Sequence, residues 1–142
     1  MVRPSMNPIA QPFAIVIDDE ISYLQLLEAI LSEILSCPIK TYTRAEAALA
    51  ELPRIEVGII VTDFYMPDMD GVQFLKKAQD IKPEVPAIII SGHKPFLDDM
   101  DTSSLRQLRS VMAKPFRIDE LAREISQHWP EAMSDGAARG QA

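Results

Sequence analysis

The sequence predicts an α/β fold in which a doubly wound, five-stranded parallel sheet carries helices on both faces. Three observations lead to this prediction. Short runs of apolar, β-branched residues recur along the chain, segments with helical periodicity separate them, and the alternation continues through residues 13–129. Continuous apolar strands are typical of parallel sheets buried on both faces, and strand-helix-strand alternation implies right-handed crossovers.

The first half of this segment supplies three strands and two helices. Residues 13–17 (FAIVI) and 57–61 (VGIIV) are nearly all apolar and are expected to be central strands, whereas residues 39–42 alternate in polarity, as edge strands do. Thr43 and Glu46 have the spacing of a capping box and predict the start of a short, alanine-rich helix. The helical repeat of the preceding helix consists of Leu24, Leu27, Leu31 and Ile34.

The second half is less regular. Residues 87–90 (AIII) are expected to be a central strand and residues 111–113 an edge strand. Between them, residues 93–101 (HKPFLDDMD) contain a proline and several acids, and only residues 102–109 have helical character, which predicts a short or displaced fourth helix. The helices before and after these strands are predicted from the repeats Val72, Leu75, Ala78 and Ile118, Leu121, Ala122, Ile125.

Length and composition favour one domain. The chain has 142 residues, 47% of them hydrophobic, which is enough for a single core. We expect residues 1–12 and 130–142, which are rich in Pro, Gly, Ala and Ser, to be disordered. No apolar run approaches the roughly 20 residues that span a bilayer, and the N-terminus lacks the apolar stretch of a signal peptide, so we expect a cytoplasmic protein without membrane insertion.

Charge and cysteine content exclude further classes. Fourteen basic and 21 acidic residues give a net charge of −7, which disfavours nucleic-acid binding. Cys37 is the single cysteine, with no Cys or His at metal-ligand spacing, so it is interpreted as a packed side chain. Redox chemistry and structural zinc are therefore not expected.

Chemically active side chains follow four of the predicted strands. Asp18 and Asp19 come after the first strand, Asp63 after the third, Ser91 after the fourth and Lys114 after the fifth. The carboxyl ends of parallel strands meet at one edge, where such folds bind ligands. We therefore expect these side chains to converge.

Clustered acids at this edge predict a divalent cation. Two carboxylates ~4 Å apart repel by about 4 kcal/mol at an effective dielectric near 20, and oxygen ligands without His or Cys favour Mg²⁺. The alternative is that Asp18, Asp19 and Glu20 only stabilise the start of the first helix. With a hydroxyl and an ammonium group added, the set suits phosphoryl transfer, with Asp63 as the nucleophile.

The combined pattern resembles the receiver domains of two-component response regulators, and the resemblance spans about residues 13–129. It implies a flavodoxin-like strand order. The matching residues are Asp18-Asp19, Asp63 followed by Met66-Pro67 and Met69-Asp70-Gly71, Ser91, and Lys114-Pro115-Phe116. Gly71 is expected in a turn where a positive φ is easiest for glycine.

The resemblance implies roles for these residues. Asp63 would accept a phosphoryl group from a phosphohistidine on a histidine kinase or a histidine phosphotransfer protein. Asp19, Asp63 and the backbone carbonyl of Tyr65 would hold Mg²⁺, with Asp18 assisting through water. The hydroxyl of Ser91 and the ammonium group of Lys114 would bind the phosphoryl oxygens, and the peptide bond between Lys114 and Pro115 would be cis.

The chain departs from the family pattern at one position. Many receivers carry an aromatic residue three positions before the lysine, but Val111 stands there in this chain. A signal would then have to travel through Ser91 and the loop after it. In that loop His93 is a possible modulator of the phosphoryl group, with Tyr65 opposite, although an exposed loop histidine is the simpler interpretation.

The leading hypothesis is a stand-alone receiver that is not an enzyme for an external substrate but can catalyse its own phosphorylation and dephosphorylation. It would signal to an unknown downstream protein by phosphorylation-dependent contacts or by phosphorelay. One alternative is a receiver-like interaction module that works without phosphorylation. Another is a Mg²⁺-dependent phosphatase, a class that places a second Asp two residues after the nucleophile, where this chain has Tyr65.

Overall fold

The computed structural model describes residues 11–92 and 102–129. Within them the chain forms five strands and four helices, and none of these helices is long and apolar enough to span a membrane. The elements in chain order are β1 Phe13–Ile17, α1 Ile21–Ile34, β2 Ile39–Tyr42, α2 Ala45–Glu51, β3 Val57–Asp63, α3 Gly71–Ile81, β4 Ala87–Ser91, β5 Leu108–Ala113 and α4 Ile118–His128, with a 3₁₀ turn over Leu52–Arg54.

The five strands form one parallel sheet in the order β2-β1-β3-β4-β5. The winding direction therefore reverses between β1 and β3, which lie side by side at the centre, and β2 and β5 are the edges, as the sequence predicts. The register pairs Ile17 with Thr62 and Asp63 with Ile90. The ends of β1, β3 and β4 thus meet at one edge of the sheet, which positions the functional site.

Apolar side chains fill both faces of the sheet. On one face α2 and α3 pack on the sheet through residues such as Ala48, Phe74 and Leu75, and on the other face α1 and α4 do so through residues such as Leu27 and Leu121. All seven residues of β3 are buried. Cys37 is buried in the α1/α4 core, in agreement with its interpretation as a packed side chain.

The end of α4 is anchored in a notch in β3. Trp129 follows the helix and is only 6% exposed. A Cβ atom added to Gly58 would lie 2.5 Å from the Cη2 atom of Trp129, a separation that real Cβ atoms do not show. Glycine at position 58 therefore gives the indole ring the space that it occupies against the sheet.

The predicted capping box at Thr43 and Glu46 is wrong. Helix α2 begins at Ala45, and its N-cap residue Arg44 makes no side-chain cap. Instead the backbone N–H of Glu46 donates to the Oδ2 atom of Asp68, 3.1 Å away. A carboxylate from a loop 22 residues further along the chain supplies the cap, which local sequence spacing cannot reveal.

The helical character predicted for residues 102–109 is also wrong. Residues 102–107 form turns, and β5 begins at Leu108, earlier than predicted. The side chain of Gln79 on α3 binds this turn twice, accepting from the N–H of Arg106 and donating to the carbonyl of Ser104, both at 3.0 Å. These bonds satisfy the backbone without a helix. Residues 93–101 and the expected disordered segments, apart from residues 11 and 12, lie outside the described residues.

Candidate functional site

Three aspartates meet at the carboxyl ends of β1 and β3. Asp18 and Asp19 follow β1, and Asp63 is the last residue of β3. One carboxylate oxygen from each lies within 4.8 Å of the others. Asp18 and Asp63 are 4% and 8% exposed, whereas Asp19 is exposed to solvent. The structure therefore confirms that these three residues converge.

Lys114 completes the cluster from the end of β5. Its Nζ atom lies 3.2 Å from Oδ1 of Asp63 and 3.7 Å from Oδ2 of Asp18. The backbone N–H of Lys114 donates to the carbonyl oxygen of Ser91 at 2.9 Å, which ties the ends of β4 and β5 together. The peptide bond between Lys114 and Pro115 is cis, as the resemblance implies.

The charged groups in the cluster shift one another's pKa values. Burial raises the pKa of Asp63 to about 6, the negative charges of Asp18 and Asp19 act in the same direction, and Lys114 opposes them. Burial by itself would lower the pKa of Lys114, but the carboxylates of Asp63 and Asp18 outweigh it, so the pKa is raised above 10.5. The lysine is thus held as an ammonium ion, while the three acids carry more negative charge than one lysine neutralises.

The donor set fits a hard divalent cation. All three side chains offer carboxylate oxygens, two of the acids are buried, and the third is open to solvent, where an ion can keep several waters. These are the preferences of Mg²⁺. The alternative, that Asp18, Asp19 and Glu20 act only at the start of α1, does not account for the ion pairs that Lys114 makes with Asp18 and Asp63. The N-cap Glu20 makes no side-chain cap there, although its N–H donates to Oδ1 of Asp18.

The loop after β3 is held at several points. The N–H of Gly71 donates to the carbonyl of Phe64 at 2.8 Å, and Asp70 and Gln73 form a reciprocal capping box at the start of α3. The carboxylate of Asp68 binds the N–H of Glu46, as described above. The loop that carries Tyr65 is therefore fixed to both α2 and α3.

Gly71 has a different role from the one predicted. The structure has no glycine with a positive φ in its described part. A Cβ atom at position 71 would instead lie 2.9 Å from the carbonyl oxygen of Asp63 and 3.1 Å from the Cα atom of Phe64. Glycine is needed because the start of α3 passes close to the backbone that carries Asp63.

The remaining candidate residues differ in how far the structure describes them. Ser91 ends β4, fully buried, on the strand next to β3, and its contact with phosphoryl oxygens stays a prediction. Tyr65 lies in the loop after β3, 54% exposed, with its ring edge-on to Phe64, and the role of its carbonyl stays a prediction. Val111 lies in β5, where it pairs with Ile89 of β4, and it is partly buried against the core. His93 lies outside the described residues.

The sequence analysis missed Tyr23. This residue lies in the first turn of α1, and its ring centroid is 5.5 Å from the Nζ atom of Lys114. Burial raises the pKa of its phenol above the ordinary value of 10.0, so the ring is uncharged at neutral pH. The signal that could have found it is its position in the first turn of the helix that directly follows Asp18 and Asp19.

Comparisons with known proteins agree with this geometry. A family model described as the response regulator receiver domain matches residues 14–126. The transcriptional regulatory protein FixJ of Rhizobium meliloti is 46% identical over 55 residues, which are 39% of this chain and 27% of FixJ. The DNA-binding transcriptional regulator NtrC of Proteus hauseri is 33% identical over 106 residues, 74% of this chain and 22% of NtrC. The chain thus spans about a quarter of the length of these two relatives.

Solved structures show the same fold. The response regulator protein TrrA of Thermotoga maritima, determined in complex with Mg²⁺-BeF, superposes with a TM-score of 0.72 at 22% identity, covering 82% of this chain and 98% of that one. The fold, the family model and the acidic cluster with its lysine all lead to one assignment. The chain belongs to the response regulator receiver domain family.

Proposed function

We propose that Asp63 accepts a phosphoryl group from a phosphohistidine of a partner protein, a histidine kinase or a histidine phosphotransfer protein, in a Mg²⁺-dependent reaction. The observation that carries this proposal is the position of the Lys114 ammonium group, 3.2 Å from Oδ1 of Asp63 at the edge where Asp18 and Asp19 also lie. Nucleophile, cation and metal-ligand set surround one point, as phosphoryl transfer requires.

The chemistry follows from these groups. A carboxylate oxygen of Asp63 forms a bond to phosphorus, the P–N bond to the donor imidazole breaks, and the departing nitrogen keeps the bonding electron pair. Asp18, Asp19, Asp63 and the carbonyl of Tyr65 would hold Mg²⁺, which would neutralise charge on the phosphoryl oxygens. Lys114 would exchange its contact with Asp63 for a contact with a phosphoryl oxygen, and Ser91 would donate its hydroxyl hydrogen to another.

The resulting acyl phosphate would control contacts with other proteins. We propose a phosphorylation-dependent interaction with a downstream protein, or onward transfer in a phosphorelay, and self-dephosphorylation by water at the same site. The chain would act as a phosphoacceptor and not as an enzyme for an external substrate. Because the match covers only 22% of the DNA-binding transcriptional regulator NtrC, DNA binding is not part of the proposal.

Intact-mass measurement tests the proposal. The purified protein is incubated with Mg²⁺ and a small phosphodonor, and wild type is compared with Asp63→Asn and with wild type in EDTA. We expect one phosphoryl group on the wild type and none in the other two samples. A folded wild type that gains no phosphoryl group from the small donor or from a phosphohistidine protein would contradict the proposal and favour an interaction module that works without phosphorylation.

A further inference from the structure

The aromatic ring of Tyr23 contacts the ammonium group of Lys114. Its side chain is half-buried in the first turn of α1, and the ring centroid lies 5.5 Å from the Nζ atom, within the range of a cation-π contact. The backbone of Tyr23 is fixed because Leu24 and Leu27 of the same helix are buried in the core. The Tyr23 side chain itself packs against the core on the α1/α4 face of the sheet, which restricts the movement of its ring beside the lysine.

Part of the Lys114 side chain faces solvent, so contacts are needed to hold its ammonium group at the site. The side chain of Lys114 is 33% exposed, and a groove of about 270 Å³ opens beside it. A four-carbon side chain next to solvent can rotate its ammonium group away from the site, at a gain in conformational entropy. The groove is lined by Glu20, Tyr23, Lys114, Pro115 and Phe116.

The two carboxylates that contact Lys114 are also candidate ligands of the metal ion. Asp63 and Asp18, at 3.2 Å and 3.7 Å from the Nζ atom, also belong to the candidate metal-ligand set. A bound divalent cation would neutralise these carboxylates and repel the ammonium group. The ring of Tyr23 is not a candidate metal ligand. Its aromatic face attracts the ammonium group whether or not the carboxylates hold an ion.

We propose that Tyr23 is a positioning residue, whose ring face keeps the Lys114 ammonium group at the site when the carboxylates hold a divalent cation. The inference rests on the proposed function, because the lysine is positioned for contact with a phosphoryl oxygen. The proposed contact uses the aromatic ring and not the hydroxyl group. Phenylalanine at position 23 should therefore preserve the positioning of Lys114, and an aliphatic residue should not.

A pair of variants tests the proposal kinetically. Tyr23→Phe keeps the aromatic face, and Tyr23→Leu removes it while keeping an apolar side chain. Phosphorylation by a small phosphodonor is followed at saturating Mg²⁺, and the Mg²⁺ affinity and the unfolding midpoint are measured for each variant. We expect Tyr23→Phe to react at the wild-type rate and Tyr23→Leu to react about three- to tenfold more slowly, with the same Mg²⁺ affinity.

A spectroscopic measurement separates the contact from the reaction. The ε-methylene protons of Lys114 should have upfield NMR shifts caused by the ring current of Tyr23, in EDTA and with Mg²⁺. We expect these shifts in the wild type and in Tyr23→Phe, and their loss in Tyr23→Leu.

Three results would overturn the inference: wild-type rates for both Tyr23→Leu and Tyr23→Phe, equally reduced rates for the two variants, or no ring-current shift in the Mg²⁺-loaded wild type. If the wild type is not phosphorylated at all, the proposed function fails. The ring-current measurement then decides by itself whether Tyr23 holds the lysine in the Mg²⁺-loaded protein.

Discussion

The carboxylate of Asp63 should lower the stability of the metal-free protein at neutral pH, so Asp63→Asn should stabilise the fold. Asp63 is only 8% exposed, and burial together with the charges of Asp18 and Asp19 raises its pKa from 3.8 to about 6. A shift of about two pKa units corresponds to about 3 kcal/mol in favour of the uncharged form. Because asparagine has the shape of the carboxyl group without its charge, we expect a gain of up to about 3 kcal/mol.

The stability gained by Asp63→Asn should increase as the pH rises. The folded protein binds the Asp63 proton more tightly than the unfolded chain does, because the pKa is raised on folding. The stabilisation from this proton is therefore fully present below pH 3.8 and is lost as the pH rises through about 6. The variant has no such proton, so its advantage over the wild type should be small near pH 4 and reach its full size above about pH 7.

Urea unfolding in EDTA across this pH range measures the effect. The matched control is Glu84→Gln, which removes one negative charge from an exposed side chain before β4 and should change the free energy of unfolding by little. Adding Mg²⁺ should stabilise the wild type more than Asp63→Asn, because the proposed ion site uses the ionised carboxylate of Asp63 in the folded state. Equal stabilities of wild type and Asp63→Asn at pH 8, or a difference that does not change with pH, would refute the reasoning.

Three further substitutions test the packing that supports the site. Gly58→Ala should lower the free energy of unfolding by about 1 to 3 kcal/mol, because its methyl group would meet Trp129 at 2.5 Å, and the loss should shrink in a Trp129→Leu background. Gly71→Ala should destabilise the protein and slow phosphorylation, because its methyl group meets the backbone of Asp63 and Phe64; Gly92→Ala is the control, since no described atom lies within 4 Å of the added group. Tyr42→Phe should leave stability unchanged or raise it by up to about 1 kcal/mol in chemical denaturation, because the buried hydroxyl of Tyr42 has no hydrogen-bond partner among the described residues. Full stability of Gly58→Ala would contradict the close packing of Trp129 on Gly58, and equal effects of Gly71→Ala and Gly92→Ala would contradict the close packing at Gly71. A loss of more than about 1 kcal/mol in Tyr42→Phe would show that the hydroxyl group of Tyr42 does have a partner.

The central strands and the site could be predicted because their signals are local. An apolar, β-branched run such as VGIIV predicts a buried strand by itself, and a charged residue directly after it must lie at the strand end. Once the strands are parallel, their carboxyl ends lie at one edge, and the convergence of Asp18, Asp63 and Lys114 follows from topology.

The features that could not be predicted are contacts between distant parts of the chain. The cap of α2 comes from Asp68, the turn after residue 102 is held by Gln79, and the space left by Gly58 is filled by Trp129. Each depends on side-chain geometry across the assembled core and leaves no periodic signal. The positive φ that the sequence predicts for Gly71 is wrong, and glycine is needed there because the backbone of Asp63 and Phe64 passes close by.

Locating the modified atom tests the central claim most directly. The protein is phosphorylated with a small phosphodonor in Mg²⁺, the acyl phosphate is reduced with borohydride, and the digested peptides are sequenced by mass spectrometry. Reduction of an aspartyl phosphate leaves homoserine, so the account predicts homoserine at position 63 and unmodified aspartate at positions 18 and 19. A phosphoryl group found on another residue, with Asp63 unmodified, would contradict the account.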